Sequence, residues 1–155
     1  MSTYTIERDI DIEAPVDVVW RTITEPEQMR TWFSDVVELE ARPGAVGTLT
    51  FRADTDDPHV VDITVVAAEP PHHFSFRWCY PRGDHATPDN STLVTFTLTA
   101  AGSARTHLRV AETGLDQLDW PDADKQKFAD DHGHGWQECG QRLQDLFAGG
   151  HASSP

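Results

Sequence analysis

The feature that most constrains this chain is its last periodic stretch, residues 122 to 147, running from Asp122 through Trp136 to Phe147. At about 100° per residue, Lys125, Phe128, His132, Gly135, Trp136, Cys139, Leu143, Leu146 and Phe147 fall within one third of the helical wheel. The opposite side carries Lys127, Asp130, Asp131, His134, Gln137, Glu138, Gln141, Gln144 and Asp145. This predicts one amphipathic helix with protein on one flank and water on the other. At about 1.5 Å per residue it spans roughly 39 Å, so something wide must lie beneath it.

The rest of the chain supplies that surface. Residues 4 to 13 alternate, with Tyr4, Ile6, Arg8, Ile10 and Ile12 on one side and Thr5, Glu7, Asp9, Asp11 and Glu13 on the other, which predicts a half-buried strand. Ala14-Pro15 ends it, and Val16, Val19, Trp20 and Ile23 form a short helical stripe that Glu25-Pro26 breaks. One further turn over Glu27 to Thr31 leads to Trp32-Phe33, adjacent aromatics that must point different ways. Strands are then expected over 36–41, 46–53, 60–68, 73–80, 92–100 and 104–113, separated by turn clusters. Phe74, Phe76, Trp78 and Tyr80 share one parity, as do Val94, Phe96 and Leu98, and again Leu108 and Val110. The loop from Pro81 to Asn90 is longer than a simple turn requires. The resulting order of one strand, two short helices, six strands and a terminal helix predicts an α+β fold, a seven-stranded antiparallel sheet burying one face against that helix.

Composition narrows the partners. With 155 residues and 38% hydrophobic content, residues 1–148 are expected to form a single domain, and the small polar tail from Gly149 to Pro155 is expected to be disordered. A net charge of −14, from 26 acidic against 12 basic residues, repels phosphate backbones and anionic lipid, which argues against nucleic-acid and membrane partners. Cys79 and Cys139 have neither disulfide-framework nor metal-ligand spacing and read as free thiols in a reducing, cytoplasmic setting. No signal-peptide or membrane-spanning apolar run is present in the sequence.

Local motifs then resemble a known family. Ala14-Pro15, Val18-Val19-Trp20, Glu25-Pro26, Trp32-Phe33, Glu69-Pro70-Pro71 before the Phe76 to Trp78 strand, Ser91-Thr92 with Val94-Thr95, and Gly135-Trp136 occur in order and cover about residues 4 to 147. This pattern resembles the activator-of-Hsp-ATPase homologue branch of the START-like, or SRPBCC, superfamily, and implies its helix-grip fold. The branch often shows Val-Gly-Gly where this chain has Val46-Gly47-Thr48. That resemblance implies a cavity between the curved sheet and the terminal helix. It also brings lipid carriers, hormone receptors, polyketide cyclases and co-chaperones into view, since one scaffold hosts many functions.

Parity and the helical stripe supply a candidate ligand-binding set: Trp32, Phe51, Phe76, Trp78, Phe96, Leu108, Val110, Glu112, Trp120, Phe128, His132 and Trp136. Each is equally readable as plain core. Arg8 and Glu112 carry charge on inward faces of strands that the resemblance makes neighbours, so they are expected either to pair at the cavity wall or to end in solvent. Trp120, on the loop before the helix, reads either as a flap over the cavity or as a hydrophobic anchor for the helix start. His132 and His134 lie about 200° apart on the helix, and His72-His73 face opposite ways on a strand, so no metal is expected, and no cofactor.

Three functions follow. The first is binding of a small hydrophobic molecule, an aromatic or polyketide-like one among them. The second is a cyclase- or hydrolase-like enzyme in which His132, Glu112 and Arg8 supply acid/base and orienting groups, although no established catalytic motif is evident. The third, stimulation of an Hsp ATPase, is implied by the resemblance alone. Monomer and homodimer both remain open.

Overall fold

The computed structural model describes residues 5–153, with side chains described for 5–147. Tyr4, expected to begin the first strand, lies outside the described residues, as do residues 154 and 155. Elements follow the expected order: β1 (Ile6–Ile12), α1 (Val16–Thr24), α2 (Pro26–Met29), β2 (Val36–Glu38), β3 (Val46–Phe51), β4 (His59–Glu69), β5 (His73–Trp78), β6 (Thr92–Ala100), β7 (Thr106–Thr113) and α3 (Asp122–Ser153), with a 3₁₀ turn at Leu115–Gln117. The helix backbone thus continues through most of the 149–155 segment for which disorder is expected.

All seven strands form one antiparallel sheet in the order β1-β7-β6-β5-β4-β3-β2. The first strand closes on the last one because the two helices after β1 carry the chain across to the far edge. Pairing in register, Ile10 against Leu108 and Phe96 against Val110, puts the even-numbered residues of β1, β6 and β7 on one face. Phe74, Phe76, Val94, Phe96, Leu98, Leu108 and Val110 are almost wholly buried there. A shift of register between Val65 and Ala67 bends β4 against β5. On the outer face, Arg109 pairs with Glu7 and Asp9, and His107 bridges Asp9 and Asp11 at 3.0 Å each. Exposed pairs of this kind fix cross-strand register more than they add stability.

Two glycines set how the terminal helix sits. Gly133 and Gly140 are seven residues apart, hence on one side of α3. A Cβ at Gly140 would stand 2.7 Å from Cδ1 of Ile10, and one at Gly133 would stand 3.0 Å from the Arg8 guanidinium. These bare positions let β1 lie close under the helix axis. The helix approaches β1 more closely than it does β3 or β4, so the space between helix and sheet widens toward β3 and β4.

Gly47 meets a different need. A Cβ there would stand 2.1 Å from the Glu38 carbonyl oxygen of β2, a backbone atom that no rotamer change can move. The one glycine kept from the family's Val-Gly-Gly pattern is thus the one at which strands β2 and β3 crowd. Gly47→Ala is expected to lower stability by about 1–3 kcal/mol, as overpacking does, read from denaturant melts. A melt unchanged from that of the parent chain would show that the β2 edge moves aside freely.

Candidate functional site

The site begins with a buried charge. Glu112, near the end of β7, has a side chain only 1% exposed. Its inward parity points it into the aromatic layer, where an unpaired carboxylate would cost several kcal/mol. Four donors meet it. Oε1 accepts from His132 Nδ1 at 2.8 Å and from Trp136 Nε1 at 2.9 Å; Oε2 accepts from Trp78 Nε1 at 2.9 Å and from Thr92 Oγ1 at 2.6 Å. Burial pushes the Glu112 carboxyl up, but the hydrogen bonds and the neighbouring His132 outweigh it and hold the group below its ordinary value. The carboxylate therefore stays ionised and ties β5, β6, β7 and α3 to one point.

Of the two alternatives for Arg8 and Glu112, the pairing is not made. Register sets Ile6, not Arg8, opposite Glu112, and the Arg8 guanidinium lies over Gly133 while donating to the Glu7 carbonyl at 2.8 Å. The indole and imidazole donors of β5 and α3 fill the carboxylate's shell instead.

Above this hub lies an open cleft of about 590 Å³, bounded by the outer ends of β3 to β5, the Phe33–Asp35 segment and α3 from Asp131 to Arg142. Its floor is a cluster of Phe33, Trp78 and Trp136 with ring centroids 5.4–5.6 Å apart, and Phe51 stands edge-on to Phe33 at 6.0 Å. Two strands end at this wall with a non-glycine residue in the left-handed region, Arg52 at φ 56° after β3 and Cys79 at φ 64° after β5. Such residues cost of order 1 kcal/mol each, and both border the cleft.

Of the residues expected to bind a ligand, Phe51, Trp78, His132 and Trp136 border the cleft, with Glu112 directly behind three of them. Trp32, Phe76, Phe96, Leu108 and Val110 are instead packed in the core; the Trp32 indole donates to the Thr22 carbonyl at 2.8 Å. Phe33, the neighbour of Trp32, is the one that faces the cleft. Trp120 packs edge-on against Phe128 at 5.5 Å, and Phe128 stacks on His132 at 3.7 Å. Trp120 thereby braces the start of α3, and it does not border this cleft.

Sequence reasoning missed Asp35, Arg52, His59, Glu138 and Arg142 at the rim, which sit in turns, at a strand end or on the helix flank. Both cysteines border the cleft. Burial, with the Glu112 charge, pushes the Cys79 thiol well up, and burial pushes Cys139 up to about 11, so neither supplies a thiolate at neutral pH. Among the described residues no helix is long and apolar enough to cross a membrane.

With this geometry in view, comparison with known families is decisive. The model of the family described as Activator of Hsp90 ATPase homolog 1-like protein matches residues 13–148. The chain belongs to that family. Among solved structures, the protein MLL2253 of Mesorhizobium loti is 27% identical, with a TM-score of 0.73 over 92% of this chain and 95% of that one. DynU16, assigned to the dynemicin biosynthetic locus, is 25% identical with a TM-score of 0.70 over 96% of this chain and 49% of its own. The Aha1 dimer of Colwellia psychrerythraea shares the fold at 15% identity and TM-score 0.72, over 92% of this chain and 95% of that one. Comparison with curated proteins finds no match. This member of the family of Activator of Hsp90 ATPase homolog 1-like proteins thus has the SRPBCC helix-grip fold.

Two outcomes test the hub. Removing the carboxylate in Glu112→Ala strands four buried donors and is expected to destabilise by about 3–5 kcal/mol in denaturant melts. A carboxyl whose folded pKa lies below its unfolded one stabilises fully above the unfolded value and loses that contribution as pH falls through the folded value. Part of the acid loss of stability, beginning near the ordinary 4.5 and continuing below it, is therefore expected to vanish in Glu112→Gln.

Proposed function

We propose that this chain binds a small hydrophobic molecule, aromatic or polyketide-like in character, in the cleft between α3 and the β3–β5 end of the sheet. The observation that carries the reading is the cleft itself: about 590 Å³ of open space with Phe33, Phe51, Trp78 and Trp136 on its walls beneath a charged rim. Aromatic walls favour flat guests, because stacked and edge-on ring pairs add about 0.5–1.5 kcal/mol beyond burial. Family membership is consistent with this use of the scaffold and does not name a ligand.

An acid/base enzyme is a second reading of the same cleft, and the observation favouring it is the carboxylate–imidazole pair of Glu112 and His132 at 2.8 Å. That pair alone names no reaction, so binding is the reading kept. Stimulation of an Hsp ATPase draws its support from the family's name, and a dimer from the Colwellia protein alone.

Trp78 and Trp136 make the binding visible. A cleft ligand such as 2-methoxynaphthalene is expected to quench their fluorescence saturably. Phe51→Ala is expected to weaken that binding about tenfold while the melting temperature shifts by only a few degrees, since Phe51 is half-buried at the strand end. Equal affinity in the variant and the parent would remove this wall from the site.

A further inference from the structure

The Glu112–His132 pair has a free end. Nδ1 of His132 is committed to Glu112 at 2.8 Å, and among the described residues no hydrogen bond engages Nε2. The ring is fixed by stacking on Phe128 with centroids 3.7 Å apart and by an edge-on contact to Trp78 at 5.4 Å. Its side chain is 21% exposed and borders the cleft. Since the Nδ1 edge faces a buried carboxylate, the exposed edge is the one bearing Nε2. A carboxylate accepting from Nδ1 sets the tautomer, so the neutral ring presents Nε2 as a hydrogen-bond acceptor.

The surrounding charges disfavour an anion there. Glu112 is ionised directly behind the ring, and Asp131 borders the same cleft. The two arginines of the lining are already engaged: Arg142 lies 3.8 Å from Glu138 and donates to the Trp32 carbonyl at 3.5 Å, and Arg52 lies 3.8 Å from Asp57. A carboxylate or phosphate brought to Nε2 would meet the negative charge behind the ring, while both lining arginines lean toward Asp57 and Glu138. A neutral hydroxyl donor meets only its acceptor. The more acidic that hydroxyl, the stronger the bond to a carboxylate-backed imidazole.

We infer that the cleft selects flat aromatic or conjugated molecules bearing an acidic hydroxyl, a phenol or an enol, whose O–H donates to His132 Nε2. Glu112 is the positioning residue behind it. The inference rests on the cleft being a ligand site, as proposed above, and adds the functional group that the ligand must carry.

Two probes of one ring system separate the claims: 2-naphthol and 2-methoxynaphthalene, titrated into the full chain and followed by tryptophan quenching and calorimetry. The naphthol is expected to bind about tenfold more tightly than its methyl ether, the worth of one good hydrogen bond. In His132→Phe, which keeps a ring on Phe128, the ratio of the two affinities is expected to collapse to about one. The ¹⁵N resonance of His132 Nε2 should move on adding naphthol and stay in place on adding the ether. Glu112→Gln should shift the ring between tautomers in the same spectrum and reduce the ratio.

Equal binding of both probes by the unaltered chain overturns the hydroxyl selection and leaves the cleft as a ligand site. Tighter binding of 2-naphthoate than of 2-naphthol overturns the case against anions. Failure of both probes to bind overturns the ligand-site reading and this inference with it. The comparison of probes uses the unaltered chain, so it decides the matter even if a variant does not fold.

Discussion

One ionised carboxylate, sunk to 1% exposure, organises this molecule. Glu112 is tolerable there only because donors from three strands or helices converge on its two oxygens. The requirement runs both ways. Two indole N–H groups and a threonine hydroxyl are themselves buried in an aromatic layer and need an acceptor. A hub of this kind imposes geometry where apolar packing alone tolerates sliding, and it fixes the angle at which α3 meets the sheet. The orientation of Trp78 and Trp136, whose faces form the cleft floor, follows from where their N–H groups must point.

The division between core and cleft is a matter of position along the strands. The helix lies close over β1, and Phe76, Phe96, Leu108 and Val110 on the middle strands are almost wholly buried. Toward β3 and β4 the helix no longer reaches the sheet, and the same inward parity yields a wall instead of a core. Phe51 and Phe96 differ in role for this reason, though both sit on the inner face of a strand.

Much of this was legible in the chain. Period-two alternation in 92–98 and 106–112 and the helical stripe of 122–147 marked the inner faces, and the motif order marked the fold. Parity cannot say how far a helix stands from a strand, so it mixed core residues such as Leu108 with cleft residues such as Trp78. It also cannot choose a partner for a buried charge. Arg8 was the obvious cation for Glu112, yet His132 and Trp136, four residues apart on the stripe and both carrying N–H donors, were the signal for a shared acceptor. The choice between Trp32 and Phe33 turned on a backbone bend that no periodicity records. The rim residues Arg52 and His59 lie at a turn and a strand end, where local pattern carries no information on facing.

Because Gly133 and Gly140 seat the helix on β1, the far flank of that helix rests on the carboxylate hub and on Phe33 stacked against Trp136. The helix is a beam clamped along one edge, and its other edge forms the jaw of the cleft. Sequence change beneath the clamp, remote from any guest, would alter the gap at the jaw. Chains that share every lining side chain can therefore still differ in the width of this cleft.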